Sequence, residues 1–182
     1  MLGNLKKEER KYLPEFVYGS IDGVITTFSV VAGAVGASLN SSIILILGFA
    51  NLVADGFSMA VSSYLSTKSR TELHKHHVDY KFFKRENKHP IKTSLITFFS
   101  FLVMGFIPLF SFVVSAIFQN FSFNEFLVAA LLTALALILV GAVKGEITLK
   151  HWMRSSFETL CIGGVAAILA FIVGYAVRQL IG

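Results

Sequence analysis

Five apolar stretches, at 16–37, 43–65, 93–118, 125–143 and 157–177, each come near the length of helix that a bilayer demands. A hydrocarbon core roughly 30 Å thick needs about 20 apolar residues of helix to cross it. Composition agrees: 54% of the 182 residues are hydrophobic and 15% charged, with a mean hydropathy of +0.69. That is too apolar for an ordinary soluble domain. The expected fold is all-α, one integral membrane domain over 1–182 built as a five-helix bundle. No internal repeat and no Pro- or Ser-rich linker divides the chain. A secretory signal fits poorly, because the first apolar run is too long and lacks a small-residue cleavage site after it.

The net charge of +5 raises the question of nucleic acid, and the placement of the charges answers it. Four of the 16 Lys and Arg precede the first span, eight lie from Lys68 to Lys92, three are Lys144, Lys150 and Arg154, and Arg178 is the last. The connections 38–42 and 119–124 carry none. By the positive-inside rule the N-terminus and the second and fourth connections are expected in the cytoplasm and the C-terminus outside. The basic pI is thus a matter of topology and of contact with anionic lipid, not of nucleic-acid binding. Cys161, the single cysteine, excludes an intrachain disulfide and is expected as a small packing residue in the fifth span.

Pro108 should kink the third span, since it lacks the amide that the helical ladder needs. His89-Pro90 should end the return that follows a cytoplasmic extension of the second helix. Gly19 and Gly23 form one GxxxG, and Gly141 and Gly145 another. Such pairs let backbones approach closely in a membrane. The Gly19/Gly23 face is expected at or near a two-fold interface, with packing inside one chain as the simpler alternative.

Ionisable groups inside hydrocarbon cost about 2.5 kcal/mol or more unless paired or functional. Asp22 and Asp55 are such groups, and no Lys or Arg lies within a helical turn of either. Asp22, Thr26, Ser29 and Gly33 recur at helical spacing, as do Asn51, Asp55 and Met59 with Ser62 and Ser63 beyond. Two facing stripes of this kind would line a path. Oxygen donors suit many divalent cations, whereas a thioether contributes little to magnesium or calcium, so Asp with Met favours a first-row transition metal. Taken alone, a methionine such as Met59 in a membrane helix is usually a packing residue. His74, His76 and His77 resemble one histidine box of membrane di-iron enzymes, but those need several boxes and the chain has five histidines. Glu72, His76, His77 and Asp79 could instead collect metal weakly or simply form a solvated connection. No Walker motif, phosphate loop or nucleophile elbow is present, so no enzyme is expected and energy would come from an ion gradient.

Three stretches carry a resemblance: DGVITTFSVVAG at 22–33, ANLVADGFSMAVSSYLSTKS at 50–69, and GAVKG at 141–145 continuing to Arg154-Ser and IGGVAA at 162–167. Together they resemble the vacuolar iron transporter family over nearly the whole chain. The resemblance implies a homodimer with its path near the two-fold axis, exporting or sequestering cytosolic ferrous iron or manganese in exchange for protons. It places Asp22 and Met59 on that path and makes the metal a cargo instead of a resident cofactor; Asp55 and Asn51, from the stripe on the second helix, are further candidate ligands, with Asp55 alternatively the proton carrier. Plant and fungal members usually have glutamate at the position of Asn51, and often at that of Ser63. They also insert a glutamate-rich ferritin-like domain where this chain has 67–92, with Glu72, Asp79 and Glu86. The expected location is the cell membrane in a prokaryote and a vacuolar or organellar membrane in a eukaryote. The alternative is a membrane metal sensor, chaperone or assembly subunit of the same fold.

Overall fold

The computed structural model describes residues 2–75, 88–118 and 124–181. They form six helices: α1 Leu2–Gly36, α2 Ser41–Lys75, α3 Pro90–Gly105, α4 Ile107–Ile117, α5 Glu125–Ile147 and α6 Trp152–Ile181. No strand occurs among the described residues. Among the described residues four helices are each long and apolar enough to cross a bilayer, and α3 with α4, bent by 49° at Phe106, meets the same length and hydropathy together, giving up to five passes. Pro108, buried at the start of α4, accounts for the bend, as its position predicts. The chain is an integral membrane protein.

The ends of the helices follow local chemistry. Asn40 and Asn124 cap α2 and α5, each side-chain oxygen accepting from the amide three residues on, Ile43 and Leu127, at 3.0 Å. Pro90 opens α3 at a position where no amide is needed. The helices outrun the apolar stretches at one end: α1 begins at Leu2 and α2 continues to Lys75. There the polar residues remain helical outside the hydrocarbon.

Three contacts fix which ends lie together. Lys88 pairs with Glu15, Ser41 bonds Glu125, and Arg178 donates to Ser38. The basic segments therefore share one end of the bundle, and the α1–α2 turn, the start of α5 and the end of α6 share the far end.

α1 is the central helix, packing on α3, α6 and α5 more extensively than on α2. A methyl group on Gly19 would meet Ser100 and the Thr97 carbonyl, and one on Gly23 would meet the Phe101 carbonyl. This overturns the expectation that the Gly19/Gly23 face lies at a two-fold interface. The glycines let α3 seat on α1 backbone to backbone within one chain, around a fully buried Phe101. Gly141 does the same for α5 against Ser156 of α6. Cys161 also departs from expectation, since it is exposed on the outer face of α6.

Candidate functional site

α1 and α2 run antiparallel with α3 leaning between them, and at the basic end this leaves a cavity of about 570 Å³. Its wall includes Glu15 of α1, Met59, Ser63 and Arg70 of α2, and Lys88 and Thr93 at the start of α3. Met59 is 9% exposed and also belongs to the apolar core, so it forms the floor. The hydroxyls of Ser63 and Thr97 lie 3.4 Å apart and bridge α2 to α3 beside it.

Glu15 was not among the residues that the sequence singled out. It stands one residue before the first apolar run and looked like part of the polar lead-in. The missed signal was its spacing: Glu15 is seven residues, two helical turns, before Asp22 and so shares its face. One of its oxygens holds Lys88 Nζ at 2.6 Å. The other is buried and has no hydrogen-bond partner among the described residues.

Deeper in the bundle the antiparallel run of α1 and α2 brings Asp55 near Asp22. Asp22 and Asp55 are both partly buried, and close enough for the charge of one to act on the other. Thr26 spends its hydroxyl proton on the Asp22 backbone carbonyl at 2.8 Å, not on the carboxylate. The Asn51 amide nitrogen is buried without a partner among the described residues, an unmet polar group of the kind that binding sites retain. Of the residues that the sequence singled out, Met59 lines the cavity, whereas Asp22, Asp55 and Asn51 lie outside its lining, Asp22 and Asp55 near each other.

Glu72 is not brought to it. It lies thirteen residues beyond Met59 on α2, about 220° around the helix, and is exposed. His76, His77 and Asp79 lie outside the described residues. Among the described residues no three His, Cys, Asp or Glu side chains converge.

The VIT family profile matches residues 13–82 and 75–175. The "Vacuolar iron transporter" of Plasmodium berghei is 25% identical over 229 positions, covering 93% of this chain and 84% of its own. "Vacuolar iron transporter 1" of Arabidopsis thaliana is 23% identical, covering 91% and 86%. "Vacuolar iron transporter homolog 3" of the same plant is 27% identical over 176 positions, covering 94% and 84%. The first alignment spans 229 positions for roughly 170 residues of this chain, so that relative carries about 60 residues that are absent here. The third needs almost no such insertion.

Proposed function

The chain belongs to the VIT family, and from that premise we propose that it carries ferrous iron or manganese out of the cytosol in exchange for protons. The observation that carries this reading is the cavity itself. A soft thioether and a half-buried carboxylate share one cavity at the basic end, and two aspartates lie near each other farther along the same helices. Such carboxylates cost about 2.5 kcal/mol or more in hydrocarbon, and a passing divalent cation offsets that cost in both electrostatic and ligand terms. Glu15 would receive the ion, Met59 would select for a soft acceptor, and Asp22 would compensate its charge. Asp55 would serve as a further ligand or as the proton carrier, with Asn51 beyond it.

The basic end faces the cytosol in this scheme, and the relatives' printed names support a vacuolar or organellar membrane in a eukaryote. A homodimer completes it. One protomer's described residues do not assemble three ionisable ligands, whereas a two-fold copy would supply a second Asp22 and Met59. Reconstitution into liposomes loaded with a metal-sensitive dye tests the reading. Saturable Fe²⁺ or Mn²⁺ uptake driven by an opposed proton gradient is expected. A folded protein that binds metal and passes none would instead be the sensor or chaperone.

A further inference from the structure

The Glu15–Lys88 pair is built unlike a structural salt bridge. Glu15 is mostly buried, with 17% of its side chain exposed, yet only one carboxylate oxygen is engaged and the other is shut away without a partner among the described residues. A pair that served only to tie α1 to α3 would have both oxygens satisfied, because an unmet buried acceptor costs about 1–3 kcal/mol. The tie is already made next door, where the His89 amide donates to the Tyr12 hydroxyl at 3.1 Å. That backbone bond anchors residue 89 whether or not Lys88 stays on Glu15. Lys88 itself is an ammonium on a flexible four-carbon stem, free to leave without moving the helix behind it.

We propose that Lys88 is a tethered surrogate cation, seated at Glu15 in the mouth of the cavity, which an incoming divalent metal ion has to displace. This rests on the cavity being the metal's entrance. The chemistry favours the exchange in one direction only. A divalent ion can use both carboxylate oxygens, including the one that Lys88 leaves unmet. A monovalent ion has to compete, at equal charge, with an ammonium held at high effective concentration by its own chain. Lys88 therefore keeps the buried carboxylate neutralised when metal is scarce and sets the concentration at which the path fills.

The test is Mn²⁺ binding to the purified full-length protein in detergent, read by electron paramagnetic resonance and independent of transport. Lys88→Gln should tighten binding about fivefold, the order expected for a partly exposed pair, and Lys88→Arg should stay near the parent. In a Glu15→Gln background the same Lys88→Gln change should do nothing, which also cancels any binding on residues 76–87. Lys88→Met, which keeps the aliphatic stem, serves if the glutamine variant does not fold. Unchanged or weaker binding in the Lys88 variants overturns the proposal, and so does an equal gain in the Glu15→Gln background. Tighter binding with no flux in any variant would keep Lys88 as surrogate and sink the transport reading instead.

Discussion

Glu15 and Glu125 stand at opposite ends of the same bundle, both partly buried, and their surroundings could hardly differ more. At the far end Glu125 accepts from Ser41 at 2.5 Å on one oxygen and from Ser115 on the other, while its backbone carbonyl takes Ser111 at 2.9 Å. Three helices converge on it, and its charge lies at the N-terminus of α5, where the helix dipole favours an anion. Glu15 has one flexible ammonium and an unmet oxygen beside an open cavity. A carboxylate saturated by hydroxyls from fixed helices works as a clasp, because any exchange would break several bonds at once. One with a single mobile partner can trade that partner for a ligand.

The sharpest break in this comparison is orientation, because the two ends have to face different compartments. Cysteines placed at Asn4 and Gln179 in a Cys161→Ser background should react with an impermeant reagent from opposite sides, all or none. Labelling from one side would remove the basis for assigning an entrance and an exit. Next in size, Asp22→Asn keeps the side-chain volume and removes the charge behind the entrance. Flux of every metal should fall about a hundredfold or more, the scale of losing charge compensation worth roughly 3 kcal/mol. Dimer content and melting temperature should match the parent. A folded variant transporting at the parental rate would make Asp22 structural.

Glu125→Ala should show the reverse pattern. It leaves two serine hydroxyls without their acceptor, so about 1–3 kcal/mol of stability should be lost. Flux per folded molecule should hold, since the clasp lies away from the cavity. A flux defect at full stability would instead make the far end part of the path.

How much of this was legible from the residues depended on what each signal measures. Apolar length fixed the five passes and Pro108 the bend, because both act through the backbone and need no partner. The asparagine caps at 40 and 124 are likewise local. The Gly19/Gly23 spacing states only that something can approach closely, and the partner, Phe101 on α3, is a tertiary fact. Polar helix beyond the bilayer has no apolar run to mark it, which is why the lead-in holding Glu15 was passed over. The α1 and α2 stripes were visible as periodicity. Their register against each other followed from the short turn at 37–40, where Ser38 takes a left-handed φ of 54° to reverse the chain.

The smallest effect expected is also the most selective. Met59→Leu keeps the apolar volume on the cavity floor and in the core around Ile44, Leu52 and Phe101, so stability should change by less than about 1.5 kcal/mol. Only the sulfur donor is removed. If the thioether touches the passing ion, the flux of Fe²⁺ or Mn²⁺ should fall severalfold while any leak of Mg²⁺, which never favoured sulfur, stays level. The ratio between metals is therefore the informative quantity, because a packing defect would lower all of them alike. Pairing the variant with Lys88→Gln tells the two roles on the cavity wall apart. The lysine change should shift the half-saturating concentration through Glu15, and the methionine change should shift the preference among metals. Their effects should add, as they do for groups that meet the ion in turn instead of each other. A Met59→Leu protein with the parental metal ratio would return Met59 to the core that it also serves and leave selectivity to the carboxylates.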